Sequence, residues 1–249
     1  MASADQREDM MNLARRALAH CINQTTDTTE SIMTMPIEAY TDETRYQAER
    51  NRIFSSLPIA GALSIELPKP GNYKTISILE KPLLLVRGDD GKARAFLNVC
   101  RHRGARICEA EEGVVKKFSC PYHSWVYDLQ GNLTSRYAAN TFGDLDQSSL
   151  GLTPLGCEEE AGIIWLTLDS SEQIDMKKWL GGMHEKVASL DLGNWHLFKK
   201  RELEGPGWKV TMDGYLEIYH HNTVHGRTVG QHTIGNLLVL DTHGPHQRL

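Results

Sequence analysis

The chain has 249 residues, of which 40% are hydrophobic and 24% are charged, and its formal net charge is -5. This is the composition of an average globular protein that can bury a sizeable core, and the lack of a basic excess argues against a nucleic-acid or anionic-membrane partner. No apolar run reaches the ~20 residues of a membrane span, and the first residues lack the pattern of a signal peptide, so we expect a cytoplasmic protein.

The N-terminal part, residues 1–56, has a helical pattern. Apolar residues recur at a spacing near 3.6 residues over Gln6–His20, which predicts an amphipathic helix. A polar, threonine-rich stretch over Asn23–Glu30 interrupts the pattern. A second helix is expected to begin at an N-cap on Thr41 and to run through Glu43–Ile53.

Between residues 57 and 168 the pattern changes to that of short β-strands. The sequence Gly88-Asp89-Asp90-Gly91 is a strong hairpin signal, and Gln130-Gly131-Asn132 marks another turn. Short strands separated by such turns predict a small antiparallel β domain. The predicted strands are Tyr73–Leu79, Pro82–Arg87, Ala93–Asn98, Phe118–Cys120, Trp125–Leu129 and Ile163–Leu168.

The last part, residues 169–249, has a mixed pattern that places the chain in the α+β class. Helical spacing predicts helices over Ile174–Leu190 and Trp208–His221. Apolar alternation or short apolar runs predict strands over Trp195–Leu203 and Leu237–Asp241. The sequence therefore predicts three parts, with boundaries near residues 56 and 168.

The β domain contains two short motifs of cysteine and histidine. Cys100 and His102 enclose one residue, and seventeen residues later Cys120 and His123 enclose two. Two thiolates and two imidazoles are the ligands of a Rieske-type [2Fe–2S] cluster, with the cysteines on one iron and the histidines on the other. A structural zinc site uses the same residue types. Zinc fingers usually pair cysteine with cysteine and histidine with histidine along the chain, so the mixed pairs favour the cluster. The remaining cysteines, expected to be buried free thiols, are Cys21, Cys108 and Cys157.

A second group of ionisable residues lies in the predicted helix that begins at Trp208. Asp213, Glu217 and His220 fall on one helical stripe, and His225 follows His220 by five residues. Both histidines can reach one metal if the helix ends or bulges between them. Two histidines and a carboxylate form the ligand set of mononuclear Fe(II) oxygenases. The alternative is a histidine-rich helix end exposed to solvent, and His221 is expected at the surface or beside the ligands.

The segment from Asn98 to Ala105, followed by the segment from Cys120 to Trp125, resembles the Rieske domain of ring-hydroxylating oxygenase α subunits. The resemblance covers about residues 57–168. It implies an antiparallel β Rieske [2Fe–2S] domain followed by the start of an α+β helix-grip catalytic domain. Family members carry a D/E-x3-D-x2-H-x4-H element, and its four positions match Asp213, Glu217, His220 and His225.

The resemblance also implies roles for the residues of this element. His220 and His225 would bind the mononuclear iron, while Asp213 and Glu217 would be catalytic carboxylates. The family usually has aspartate at the position of Glu217, where the acid bridges a cluster histidine of one subunit, here His123, and an iron histidine of the next. Glutamate occurs there in members acting on quaternary ammonium compounds such as carnitine.

The resemblance further predicts a cluster of low reduction potential. Respiratory Rieske proteins have a disulfide over the cluster and a serine hydroxyl that points at a sulfide. This chain has Ala105 and Tyr122 at the disulfide positions and Trp125 at the serine position. Fewer hydrogen bonds to sulfur lower the potential of the cluster.

The function that the resemblance implies is that of a terminal oxygenase component. Electrons from an NAD(P)H-dependent reductase or a ferredoxin would pass through the cluster to Fe(II), and O₂ would hydroxylate or demethylate a small aromatic or quaternary ammonium substrate. Such subunits form homotrimers or α3β3 hexamers. A third iron ligand is expected beyond residue 249, in a C-terminally truncated chain, since Asp241 is too close. The alternatives are a Rieske ferredoxin-like electron carrier and a zinc-stabilised binding module.

Overall fold

The computed structural model describes residues 4–169 and 174–249. The chain divides into two compact units. The first, here called the β unit, comprises residues 47–179 and 191–198, and the second, the helical unit, comprises residues 1–46, 180–190 and 199–249. Within the described ranges, none of the helices combines the length and apolar character that a membrane span requires.

The elements of the described residues follow in chain order. The helices are α1 (Ala4–Asn23), α2 (Glu38–Thr41), α3 (Glu43–Glu49), α4 (Met176–Leu180), α5 (Met183–Ala188), α6 (Trp208–Leu216) and α7 (His221–Val224). The strands of the β unit are β1 (Ile59–Leu63), β2 (Asn72–Ile78), β3 (Lys81–Arg87), β4 (Ala93–Leu97), β5 (Glu112–Val114), β6 (Phe118–Ser119), β7 (Val126–Tyr127), β8 (Leu133–Ser135), β9 (Pro154–Glu160) and β10 (Ile163–Thr167). The helical unit ends in β11 (Asp241–His243) and β12 (His246–Arg248).

The β unit is built on two antiparallel sheets, as the sequence predicts. The larger sheet has the strand order β1-β10-β9-β4-β3-β2-β5, and the smaller has the order β6-β7-β8. The predicted hairpin between β3 and β4 is present, and its loop is closed by a bond from Gly88 N–H to the Lys92 carbonyl, 2.9 Å. The loops between β4 and β5 and between β6 and β7 contain the predicted cluster ligands.

Strand β3 is buried on both faces and separates two hydrophobic cores. Leu84 and Val86 pack in one core, and the alternate residues Leu83 and Leu85 pack in the other. Side chains of a strand alternate between its faces, so a strand buried on both sides has a continuous apolar sequence. The core on the side of Leu84 also contains Cys100 and Cys120. This side of the sheet therefore supports the two motif loops.

The N-terminal helix is confirmed as α1, whereas the second helix begins differently from the prediction. Thr41 is the last residue of α2 and does not cap the following helix. The carboxylate of Asp42 takes that role, because its Oδ1 accepts a hydrogen bond from Arg45 N–H at 2.6 Å. The helix then continues beyond α3 in a π-helical turn over Arg50–Phe54.

The predicted strands of the β domain are all present, with ends that differ by a few residues. Sequence reasoning missed β1, β5, β8 and β9. Strands β5 and β8 have three residues each, and β1 consists largely of small residues. Strand β9 ends in three consecutive glutamates, a residue type that strands disfavour.

The predictions after residue 170 were partly wrong. The helix over Ile174–Leu190 is divided into α4 and α5 at Gly181, whose φ of +50° lies in the left-handed region. The predicted strand over Trp195–Leu203 is absent from this described segment. Trp195 instead closes a short 3₁₀ turn with a bond from its N–H to the Leu192 carbonyl, 3.2 Å.

The helix predicted over Trp208–His221 ends at Leu216, and the strand predicted over Leu237–Asp241 begins only at Asp241. Glu217 is extended, with φ -134° and ψ 147°, so it leaves the helical stripe that was predicted for it. In place of the predicted strand pairing, the backbone N–H of Leu238 donates to the side chain of Thr26 at 2.8 Å. This backbone is paired with the N-terminal loop and not with a strand.

Candidate metal centres

Both motif loops have the same closed-turn geometry. In the first loop, Cys100 N–H donates to the Ala105 carbonyl (2.8 Å) and Gly104 N–H donates to the Cys100 carbonyl (2.9 Å). In the second loop, Cys120 N–H donates to the Trp125 carbonyl (2.8 Å) and Ser124 N–H donates to the Cys120 carbonyl (3.0 Å). Each turn therefore places its cysteine and histidine on a fixed backbone.

The fifth residue of each turn has a positive φ, +75° at Gly104 and +52° at Ser124. Glycine adopts this conformation without steric cost, whereas serine is strained there. The first loop has glycine at this position, whereas the second loop has serine and is strained there. Strain of this kind is typical of functional sites.

The side chain of Asn98 connects the two ends of the first loop through hydrogen bonds. Its side chain is buried, its Oδ1 accepts from Ile107 N–H (3.1 Å) and Cys108 N–H (3.0 Å), and its Nδ2 donates to the Cys108 carbonyl (2.7 Å). These bonds join the two ends of the loop that contains Cys100 and His102. Sequence reasoning placed Asn98 at the end of a predicted strand and at the start of the matched segment, but it assigned the side chain no role.

The four motif side chains lie in the β unit, with both thiols in one hydrophobic core and the two imidazoles in contact with each other. Cys100 and Cys120 are each 2% exposed and are free thiols. The rings of His102 and His123 have centroids 4.7 Å apart. The Nδ1 atom of His102 is buried without a hydrogen-bond partner. Two thiols buried in one core and two imidazoles in ring contact, one with an unpaired buried nitrogen, fit the ligand set of a Rieske-type cluster.

Tyr127 contacts this group from strand β7. Its hydroxyl oxygen lies 3.3 Å from Cys100 Sγ and accepts a hydrogen bond from Arg101 N–H at 3.2 Å. Burial of the phenol and its bond to Cys100 raise the pKa of Tyr127, so the hydroxyl stays protonated. Burial likewise raises the pKa of the Cys100 thiol. A metal-bound thiolate has no proton to give, so Tyr127 would be the donor of that bond.

The histidines of the second group lie in the helical unit after the end of α6. Their ring centroids are 5.4 Å apart for His220 and His225, while the ring of His221 lies 5.1 Å from the first and 5.8 Å from the second. They lie on and around α7, with His220 as its N-cap, His221 as its first residue and His225 as its C-cap. His221 has a buried Nδ1 without a hydrogen-bond partner. It therefore lies within the histidine group.

Glu217 orients His220. Its Oε1 contacts His220 Nδ1, and its Oε2 accepts from His220 N–H at 3.2 Å. Burial alone would raise the pKa of Glu217, but the hydrogen bonds from His220 outweigh it and the pKa falls below the ordinary value. A carboxylate that binds one ring nitrogen of histidine directs the other towards a metal.

The two aspartates considered at the sequence level are held by other residues. Asp213 accepts a hydrogen bond from Tyr40 Oη at 2.7 Å. Asp241 pairs through its two oxygens with Arg16 and Arg248. Across residues 4–169 and 174–249, no three histidine, cysteine or acidic side chains are arranged to hold a single metal ion.

Comparisons with known proteins agree with this architecture. Residues 59–145 match the family model of the Rieske [2Fe-2S] domain. Over 220 residues the chain is 31% identical to the glycine betaine monooxygenase oxygenase subunit of Pseudomonas aeruginosa, covering 87% of this chain and 49% of the relative. It is 38% identical over 143 residues to benzene 1,2-dioxygenase subunit alpha of Pseudomonas putida, covering 57% and 32% of the two chains.

A solved structure is also similar to the chain. The quaternary ammonium Rieske monooxygenase CntA in complex with L-carnitine superposes with a TM-score of 0.77 at 27% identity, covering 84% of this chain and 60% of the other. The chain spans about half the length of the curated monooxygenase subunits it matches, which are covered to 49% and 52%.

Proposed function

Because the chain contains a Rieske [2Fe–2S] domain and is homologous to the oxygenase subunits of Rieske non-haem iron oxygenases, we propose that it is an oxygenase component with its cluster on Cys100, His102, Cys120 and His123. The observation that carries the proposal is that two matching closed turns place two thiols in one buried core and two imidazoles in ring contact. When bound, the cluster supplies single electrons and a mononuclear Fe(II) supplies the oxygen chemistry.

We propose His220 and His225 as the protein ligands of the mononuclear iron in this chain. The carboxylate of Glu217 holds the ring of His220 and carries a negative charge at neutral pH, so it stabilises a cationic site. By resemblance, it would also connect His220 to the His123 of a neighbouring subunit. Asp213 remains a second carboxylate candidate for catalysis.

The proposed substrate is a small aromatic or quaternary ammonium compound, which O₂ hydroxylates or demethylates. Relatives named for glycine betaine, carnitine and benzene support this range. The proposed electron donor is an NAD(P)H-dependent reductase or a ferredoxin, and the proposed assembly is a homotrimer or an α3β3 hexamer. We keep the domain division at residues 56 and 168 and a cytoplasmic location as proposals, the latter supported by five free cysteines.

A Rieske ferredoxin-like electron carrier is the second candidate. Among the described residues, no three ligating side chains are arranged to hold a single metal ion, and the chain spans about half the length of its monooxygenase relatives. A carrier would undergo reduction and reoxidation of its cluster and form no product. Product formation is therefore the observation that distinguishes an oxygenase from an electron carrier.

The experiment is a single turnover of the reduced protein. The anaerobic protein is reconstituted with iron and sulfide, reduced with dithionite and exposed to O₂ with glycine betaine, carnitine or benzene. Formation of a demethylated or hydroxylated product in wild type, and its loss in His225→Ala with the cluster spectrum intact, would support the oxygenase. Cluster reoxidation without product from any of the three would favour the carrier.

A further inference from the structure

The ring of His102 is packed face to face against a tryptophan. The rings of His102 and Trp125 have centroids 4.8 Å apart and planes inclined by 8°. Trp125 is buried in the same core as the two cysteines. Its backbone carbonyl also closes the second turn by accepting the bond from Cys120 N–H. A single residue therefore contacts the first motif through its ring and the second through its backbone.

Two further rings border His102 on its edges. Phe142 lies edge-on to it at 5.8 Å and edge-on to Trp125 at 5.9 Å. His123 is inclined to it by 72° at 4.7 Å. Of these three described rings, that of Trp125 is the one parallel to the imidazole. Rotation about the last side-chain bond of His102 would have to break this stack.

We propose that Trp125 is a positioning residue that fixes the plane of the His102 ring, and with it the direction of Nδ1 towards the cluster. The inference rests on the proposed function, because it assumes that His102 binds the cluster. The last torsion of histidine is intrinsically broad, so packing has to select the ring plane. Contacts that orient a metal ligand tune the metal and the strength of its binding.

A different reading is that the indole N–H is what matters at this position. The Nε1 of Trp125 is buried without a hydrogen-bond partner, as is the Nδ1 of His102. A donor in this position could act on a sulfur of the cluster instead of on the ring of His102. Substitution by phenylalanine separates the two readings, since it keeps an aromatic face for stacking and removes the N–H.

The experiment compares Trp125→Phe and Trp125→Leu in the reconstituted full chain. The readouts are the g-values of the reduced cluster by EPR, the midpoint potential, and the rate of cluster loss to a chelator. We expect Trp125→Phe to keep the wild-type g-values and potential. We expect Trp125→Leu to shift both the g-values and the midpoint potential. This variant should also lose its cluster roughly tenfold faster than the wild type, the lower end of the range for loss of a contact that supports a metal ligand.

A matched control is Phe118→Leu. Phe118 is a buried ring of the same core, and it contacts Tyr73 at 5.6 Å and not His102. Phe118→Leu should lower the stability of the fold without changing the g-values of the cluster. The comparison therefore distinguishes a loss of core packing from a loss of His102 positioning. If Trp125→Leu is folded and leaves g-values and potential unchanged, or if Trp125→Phe shifts them as much as Trp125→Leu, the proposal is overturned. A wild-type protein without a Rieske signal would instead refute the proposed function.

Discussion

The hydroxyl oxygen of Tyr127 lies 3.3 Å from Sγ of Cys100, and the same oxygen accepts a hydrogen bond from Arg101 N–H. A strand residue is thus tied to both the side chain and the backbone of the first motif. The sequence-based expectation of a low reduction potential considered only the positions of Ala105, Tyr122 and Trp125. That expectation did not include Tyr127, whose hydroxyl would donate to the sulfur of a cluster-bound Cys100.

Removal of this hydroxyl should lower the reduction potential of the cluster. The reduced cluster carries more negative charge, so a donor to its thiolate stabilises the reduced form more than the oxidised form. If the difference is about 1 kcal/mol, typical of one hydrogen bond, Tyr127→Phe lowers the potential by about 40 mV for a one-electron couple. Redox titration followed by EPR measures it. An unchanged or higher potential would show that Tyr127 does not donate to Cys100.

Removal of the Asn98 side chain should destabilise the first motif loop. Asn98→Ala leaves the buried N–H of Ile107 and the half-buried N–H of Cys108 without their acceptor, which costs on the order of 3 kcal/mol. Denaturant unfolding of the reconstituted protein measures the loss, and cluster release should accelerate with it. Asn140→Ala, at an exposed position, is the control. Equal stability of the two variants would contradict the assigned role.

Neutralising Glu217 should weaken metal binding at His220 and His225. Glu217→Gln removes the negative charge that contacts His220 Nδ1, and loss of such a supporting carboxylate typically costs 10–100-fold in metal affinity. Titration of the wild type and the variant with Co²⁺, followed by absorption, measures the change at this site. Glu204→Gln, at an exposed position, should bind as the wild type does. Equal affinity in Glu217→Gln would exclude the carboxylate from the site.

A network of charges in the helical unit predicts an acid-sensitive stability. Arg248 and Lys186 both contact Asp9, at 2.6 and 2.7 Å, and Arg248 also pairs with Asp241. The hydrogen bond from Arg248, followed by that from Lys186, lowers the pKa of Asp9 from 3.8 to about 2. The pKa is lower in the folded state, so the contribution to stability is present above pH 4 and is lost as the pH falls towards 2.

Asp9→Asn should therefore melt below the wild type at pH 7, and the difference should shrink between pH 4 and pH 2. Thermal unfolding at a series of pH values measures it. Asp144→Asn, at an exposed position in the β unit, is the control and should show no such convergence. A Tm difference that is constant from pH 7 to pH 2 would mean that ionisation of Asp9 does not stabilise the fold.

Much of the β unit could be predicted from local sequence. The hairpin at Gly88 and the motif from Cys100 to His123 depend on residue types at fixed short spacing, and such signals survive in any tertiary context. Strands such as β5 were missed because three residues give no measurable alternation. Their pairing is decided by neighbouring strands that are distant in the chain.

The contacts that support the two candidate centres could not be predicted in this way. Asn98, Trp125 and Tyr127 act through partners whose proximity depends on the packing of two loops against the sheet. The stripe proposed for Asp213 and Glu217 assumed an unbroken helix. The side chain of Glu217 bonds instead to the backbone of His220, and this local bond competes with helix continuation.

The most direct test of the central claim is the content of iron and acid-labile sulfide per chain, together with an EPR spectrum after reduction. For wild type reconstituted anaerobically, we predict two sulfides, a Rieske-type signal and at least two irons per chain, a third iron being the one bound by His220 and His225. Cys120→Ser should lose the sulfide and the signal together. A protein that retains zinc without sulfide, or a Cys120→Ser variant with the wild-type spectrum, would contradict a cluster on Cys100, His102, Cys120 and His123.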